Sequence, residues 1–179
     1  MPKRIEIRIA GLGGQGVVLA GHILGKAAAY DGLQVVQTQS YGAEARGSAA
    51  KSEVIISDGK IGFPMVRNCD VLVAMSQTAL EKNLKEVKQD GILLIDPDTV
   101  KTMPETKAKV FKISATETAE SRLKSKMYAN IIMLGTLVKI TSLVKTTAIE
   151  KAIEDSVPGN LKRGNIEAFK IGQELVSQT

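Results

Sequence analysis

A chain of 179 residues that is 44% hydrophobic has the size and apolar content of one globular domain, which excludes wholesale disorder. Its single cysteine, Cys69, excludes an internal disulfide and leaves no thiolate set for an iron–sulfur cluster or a cysteine-based zinc site. The formal charge of +5 leaves acidic ligands and acidic partners open, but the lysines are scattered and the three tyrosines and three phenylalanines are not interleaved with arginines, so a nucleic-acid platform is not expected.

No uncharged apolar run approaches the roughly 20 residues that span a bilayer, so no membrane association is expected. With the lone cysteine and no apolar leader after Met1, the composition points to the cytoplasm.

Residues 4–10 alternate charge and isoleucine, the pattern of an opening strand. A glycine cluster follows at once, and Val17–Tyr30 then reads as a helix stopped by Asp31-Gly32. Residues 33–37 form the next expected strand, so strand, turn, helix and strand predict a right-handed crossover and a parallel pair. Further strands are expected at 52–56, 71–74, 92–95 and 110–113. Those at 71–74 and 92–95 are continuously apolar, as strands covered on both faces are.

Thr78 and Glu81 have capping-box spacing and predict a helix running to about residue 89, stopped by Asp90-Gly91. From Ser114 onward the pattern is helical, with the same spacing at Ser114/Glu117 and Thr147/Glu150. Residues 127–140 are apolar nearly all round and predict a buried helix, in which Gly135 would admit another element closely. A last amphipathic helix is expected over about 162–177, after the Pro158-Gly159 break. The expected architecture is α/β: an open, mostly parallel Rossmann-like sheet flanked by helices with a helical C-terminal third, all one domain over residues 1–179.

Gly11-Leu12-Gly13-Gly14-Gln15-Gly16 matches G-x-G-x-x-G directly between a strand and a helix. Such a turn aims free backbone N–H groups and a helix dipole at one point, where an anionic group can approach closely. The alternative is that the glycines serve only tight strand–helix packing. A dinucleotide site usually adds an acidic residue at the end of the second strand, but here that stretch reads Val35-Val36-Gln37-Thr38-Gln39. Nor does the turn end in the Lys-Ser/Thr of a triphosphate loop.

Ser40-Tyr41-Gly42-Ala43-Glu44-Ala45-Arg46-Gly47-Ser48 lies after the second expected strand, on the same sheet edge as the glycine turn. Arg46 can hold a carboxylate or phosphate bidentately, or Glu44 and Arg46 can simply pair with each other. Elsewhere the bland readings win. His22 is expected to cap or pack, Cys69 to be a small buried hydrophobe, Asp96-Pro97-Asp98 to form a turn, and Ser76 to cap a helix. No catalytic residue and no metal site is expected.

GLGGQGVVLAGHIL at 11–24, SYGAEARGS at 40–48 and NIIMLG at 130–135 occur in this order, and together they resemble the gamma subunit of a 2-oxoacid:ferredoxin oxidoreductase over nearly the whole chain. The tyrosine and the E-A-R order resemble the 2-oxoglutarate type more than the pyruvate type. The resemblance implies a multisubunit enzyme that oxidatively decarboxylates a 2-oxoacid on thiamine diphosphate, passes electrons through iron–sulfur clusters to ferredoxin, and forms the acyl-coenzyme A. It implies alpha and beta partner subunits, with a delta subunit as a further candidate. Those partners would hold the thiamine diphosphate, magnesium and clusters, while this chain holds no cofactor alone. The one cysteine agrees, and Asp58-Gly59 is not followed by a thiamine-type metal motif. On this reading Gly11, Gly13, Gly14, Gln15, Gly16, Tyr41, Gly42, Glu44 and Arg46 face a shared site that admits coenzyme A as co-substrate. The rival expectation is a stand-alone module that binds a nucleotide or coenzyme A through the glycine turn.

Overall fold

The alternating isoleucines at the start of the chain decide the centre of the fold. In the computed structural model, which describes residues 3–42 and 47–176, they lie on β1 (Arg4–Leu12). Ile5, Ile7 and Ile9 join the larger apolar cluster, while Ala10 joins a second cluster on the opposite face. Period-two alternation thus buries both sides of one strand.

After β1 come α1 (Val17–Tyr30), β2 (Gln34–Tyr41), β3 (Ala49–Ser57), β4 (Cys69–Ala74), α2 (Gln77–Asn83), β5 (Val87–Ile95) and β6 (Lys109–Lys112). Four helices complete the described chain: α3 (Ala115–Leu123), α4 (Ala129–Thr141), α5 (Thr146–Glu154) and α6 (Lys162–Val176). One sheet of six strands runs in the order β2-β3-β1-β4-β5-β6. The ladders β1–β4, β4–β5 and β5–β6 are parallel, whereas β1–β3 and β2–β3 are antiparallel.

The mixed character corrects one expectation. β1 and β2 run in the same direction, as a strand–helix–strand unit requires, but they are not a hydrogen-bonded pair. β3 is inserted between them, matching β1 from Arg4↔Ser57 to Leu12↔Ala49 and β2 from Gln34↔Ser57 to Tyr41↔Ala50. The second strand is also longer than expected, because hairpin pairing carries it through the polar run Thr38–Tyr41 that hydropathy alone leaves as loop.

One face of the sheet is covered by α1, which also contacts α4 and α5. The other is covered by α2 and by the segment after β3, where Ile61 and Val66 pack against the smaller cluster. α4 is buried at all ten positions from Ala129 to Val138 and packs along α6. A Cβ on Gly135 would overlap the Phe169 carbonyl, and one on Gly172 would overlap that of Ile132. The expected close approach at Gly135 is therefore backbone against backbone, reinforced by Thr136 Oγ1 donating to the Gly172 carbonyl at 3.0 Å. No helix among the described residues is long and apolar enough to cross a membrane.

The helix after β4 is shorter than its spacing predicts. It ends at Asn83, a 3₁₀ turn occupies Leu84–Glu86, and β5 begins at Val87, so Gly91 sits inside a strand rather than stopping a helix. The cause is Arg8. Its guanidinium is buried on the α2 face of β1 and pairs with Glu53 at 2.7 Å and with Glu86, while Nη1 donates to Asn83 at 3.3 Å. A buried charge needs such partners, and meeting them pins residues 83–86 against the sheet. His22 departs from expectation too, lying exposed on α1. Cys69 is buried as expected, and burial pushes its thiol up to about 11.

Candidate functional site

The glycine turn sits at the end of β1 where five of the six strands point, the edge at which open α/β sheets hold ligands. Gly13 N–H donates to the Ser48 carbonyl at 2.8 Å and Gly42 N–H to that of Ala49 at 2.7 Å. The first bond joins the turn to the β2–β3 hairpin, as the placement on one edge predicts, and the second closes the hairpin itself. Tyr41 is 61% exposed beside it. Glu44 and Arg46 lie outside the described residues.

The four glycines do different work. A Cβ on Gly11 would stand 2.5 Å from Gln15 Oε1, so its absence makes room for the Gln15 side chain. That side chain is committed at both ends: Oε1 accepts from Leu12 N–H at 2.6 Å and Nε2 donates to the Met75 carbonyl at 2.7 Å. Gln15 therefore ties β1 to the end of β4. Gly16 has a left-handed φ of 72° and yields its side-chain space to Asn130. Gly13 and Gly14, by contrast, are exposed and open.

Gly16 is the N-cap of α1, and no side chain caps that end; Tyr128, the N-cap of α4, makes no side-chain cap either. The two helix starts meet at Asn130, whose Nδ2 donates to the Gly16 carbonyl at 2.9 Å. Its Oδ1 is buried without a hydrogen-bond partner. The first turn of α1 is therefore uncapped, and an unpaired acceptor lies buried beside it.

Two clefts flank the turn. The larger, about 640 Å³, runs from Gly14 and Gln15 to the starts of α3 and α4. Its charged lining is Asp98, Glu117 and Glu120 against Lys126, which pairs with Glu120 at 3.2 Å. The smaller, about 330 Å³, lies between the hairpin and α2 and brings Lys51 and Lys82 near Tyr41 and Gly42, with Glu86 opposite. Unlike charge thus lies on either side of one backbone turn, and the lysine side is the one fitted to an anionic group.

Asp96, at the end of β5, holds the floor of the larger cleft. It is fully buried, with Oδ1 accepting from Asp98 N–H at 3.0 Å and Oδ2 from Thr116 N–H at 2.9 Å and from the Thr116 hydroxyl at 2.5 Å. Burial raises its carboxyl above the usual range, and the Thr116 hydroxyl bond opposes that shift. Asp98 in turn accepts from Glu117 N–H at 2.8 Å. The turn-forming role expected for these aspartates is real, and they also cap α3. The Ser114/Glu117 spacing does not, since Ser114 makes no side-chain cap bond. Ser76 caps α2 as expected, through Ala79 N–H at 3.1 Å.

Residues 6–175 match the pyruvate ferredoxin/flavodoxin oxidoreductase family. The chain belongs to that family. It is 49% identical to the 2-oxoglutarate synthase subunit KorC of Methanocaldococcus jannaschii, over 98% of this chain and 95% of that one. A solved keto/oxoacid ferredoxin oxidoreductase gamma subunit from Geobacter sulfurreducens is 42% identical and superposes with a TM-score of 0.87, covering 98% and 99% of the two chains. A 2-oxoglutarate:ferredoxin oxidoreductase from Magnetococcus marinus, solved with 2-oxoglutarate, coenzyme A and succinyl-CoA, is 25% identical with a TM-score of 0.89. That match covers 99% of this chain and 32% of the other, so the whole of this member of the oxidoreductase family corresponds to about a third of a longer relative.

Within the family fold, Asn130 and Arg8 are what sequence reasoning underrated. The asparagine at the head of an apolar helix was its one visible signal, because a polar side chain there needs a reason to be buried. Arg8 carried none, as an arginine in an alternating strand reads as a solvent-facing residue.

Proposed function

We propose that this chain is the gamma subunit of a multisubunit 2-oxoglutarate:ferredoxin oxidoreductase. The observation that carries the proposal is likeness over the full length to a 2-oxoglutarate synthase subunit, with no region of either chain left unmatched beyond a few residues. In this role it supports oxidative decarboxylation to the acyl-coenzyme A, with electrons leaving to ferredoxin. Thiamine diphosphate, magnesium and iron–sulfur clusters belong to alpha, beta and delta partners; when bound, the thiamine supplies the carbanion chemistry of decarboxylation. This chain positions and admits. It works in the cytoplasm, where its partners and ferredoxin are.

The site proposed for coenzyme A is the glycine turn with the hairpin beside it: Gly11, Gly13, Gly14, Gln15, Gly16, Tyr41, Gly42, Glu44 and Arg46. Gly13 and Gly14 leave the backbone open to approach, while Gly11, Gln15 and Gly16 hold it in shape. Asn130 completes the set. The uncapped first turn of α1 can donate to an amide carbonyl of the pantetheine arm, and Asn130 positions that turn through its bond to the Gly16 carbonyl. The phosphates suit the lysine side of the turn, because the three carboxylates of the larger cleft repel them.

Affinity purification of the tagged chain under anaerobic conditions tests the subunit reading. Recovery of thiamine- and cluster-containing partners, with coenzyme A-dependent electron transfer fastest on 2-oxoglutarate, is the expected result. A chain that elutes alone under conditions that preserve such complexes, and binds coenzyme A by itself, supports the stand-alone module instead. In the assembled enzyme Arg46→Ala lowers turnover while the chain stays folded; unchanged turnover removes Arg46 from the site.

A further inference from the structure

Arg8 is the largest side chain that the fold buries completely among the described residues. Its guanidinium stands behind the smaller cleft and touches both walls. On the hairpin side Nε donates to Glu53 at 2.8 Å, and Glu53 in turn pairs with Lys51 at 3.3 Å. On the α2 side Nη1 donates to Asn83 at 3.3 Å and to Glu86, while Nη2 donates to the Val66 carbonyl at 3.3 Å. All three nitrogens are engaged, so Arg8 has none to offer a ligand. What it alters is the charge of the cleft. Lys51 and Lys82 line that space, and so does Glu86. Lys82 is exposed and has no ion pair among the described residues. Glu86 is 48% exposed, so without its arginine this carboxylate would confront any anion that entered.

We propose that Arg8 is the positioning residue that makes the smaller cleft selective for the phosphate end of coenzyme A, an inference that rests on the placement of coenzyme A proposed above. It acts through Glu53 and Glu86, which it occupies and so keeps from neutralising the two lysines. With Arg8 in place, three cations stand against two carboxylates in and behind the cleft. Without it two would stand against two, and the attraction for a phosphate would vanish. A buried charge is screened by salt less than a surface one, so the excess is held where solvent weakens it least. Stability alone does not call for an arginine inside β1, because apolar side chains of similar volume fill such a place at least as well. Selectivity for an anion gives the buried charge a reason to be there.

The assembled enzyme provides the test. The readout is the KM for coenzyme A, and pantetheine, which has the same thiol arm and no phosphate, is the control. Arg8→Met should raise that KM at least about fivefold while kcat at saturation stays within about twofold, the pattern of lost uniform binding. Adding Glu86→Gln removes one carboxylate and restores the excess of one cation. The double variant should therefore return to within about twofold of the parent KM although Arg8 is still missing. A packing role for Arg8 gives no such rescue. Glu86→Gln alone keeps an oxygen for Arg8 and should lower the KM about twofold or more, which carries the test where Arg8→Met does not assemble. Rates with pantetheine should not move in any of the three. A KM unmoved by Arg8→Met overturns the proposal, as does a raised KM that Glu86→Gln leaves raised, or a Glu86→Gln enzyme that binds coenzyme A no better than the parent. Lys82→Ala separates this inference from the reading beneath it. If that variant leaves the KM unchanged, the phosphates are not in this cleft and both fall. If it raises the KM while Glu86→Gln fails to lower it, the site stands and the role of Arg8 alone is lost.

Discussion

Glycine serves opposite ends in two parts of this molecule. In the α4–α6 pair, Gly135 and Gly172 lack side chains so that two helix backbones can touch. In the turn after β1, nothing of the protein lies within 4 Å of where a Gly14 side chain would start, and at Gly13 only Ser48 comes into ordinary contact range. Packing explains the first pair completely. It explains Gly11 and Gly16 as well, which give their space to Gln15 and Asn130, and a left-handed φ of 94° accounts for Gly14, but Gly13 is left unexplained. A glycine-rich motif is thus divisible position by position, and Gly13, the position that structure does not use, is the one available to a ligand.

The sharpest way to break the packing half is Gly135→Val. A branched side chain would meet the Phe169 carbonyl, and backbone cannot rotate aside as a side chain can. Overpacking usually costs about 1–3 kcal/mol, and against two fixed helices the upper end or more is expected. Thermal denaturation followed by circular dichroism should show a lost or strongly lowered transition. A variant that melts like the parent would mean that α4 and α6 are not in backbone contact.

Asp96→Asn comes next and probes the ligand edge from beneath. The amide nitrogen would face Thr116 N–H, donor against donor, at a cost of about 1–3 kcal/mol. The pH dependence has a definite sign. Burial raises the folded-state pKa of Asp96, so the stability linked to its protonation is fully present below the unfolded value of about 3.9 and fades as pH rises through the raised folded value. Denaturant titrations of parent and variant should therefore differ most in acid, with the gap narrowing as pH increases. A gap that widens instead would mean that the buried carboxylate is stabilised by its hydrogen bonds more than it is penalised by burial.

Most of the sheet could be read from the sequence because its signals are local. Alternating isoleucines mark β1, continuous apolar runs mark β4 and the end of β5, and the Thr78/Glu81 spacing marks a helix at α2, although Ser76 and not Thr78 caps it. Two features could not be read, and both depend on distant partners. The insertion of β3 between β1 and β2 is a matter of pairing, which strand patterns do not encode. The early end of α2 follows from a buried arginine 75 positions before Asn83 in sequence. The site was legible to a similar degree. The turn and the hairpin were visible as motifs and do adjoin, whereas the burial of Asn130 against Gly16 links residues 114 apart. The charge difference between the two clefts is assembled from α2, α3 and the hairpin, and only the fold brings it together.

Asn130→Ala separates the two halves of the comparison, since this side chain both packs on Gly16 and positions the uncapped first turn of α1. Losing the bond to the Gly16 carbonyl should cost only about 0.5–1.5 kcal/mol, because a buried unsatisfied oxygen leaves with it. The apparent KM for coenzyme A of the assembled enzyme should rise by much more than that loss of stability would explain. A variant that is less stable but kinetically normal would confine Asn130 to packing.

The smallest structural perturbation is the most informative about the open half. A Cβ on Gly13 would lie 3.6 Å from the Ser48 carbonyl oxygen, an ordinary contact, and Gly13 does not hold a positive φ. Gly13→Ala should therefore leave the melt within about 0.5 kcal/mol of the parent. It should still raise the KM for coenzyme A, because the added methyl stands where a ligand would approach the backbone. Stability and KM both unchanged would mean that the ligand passes elsewhere, and the openness of the turn would then serve a partner chain. A fold lost on adding one methyl would mean that Gly13 belongs with Gly11, Gly14 and Gly16, and that every glycine of the motif serves the fold.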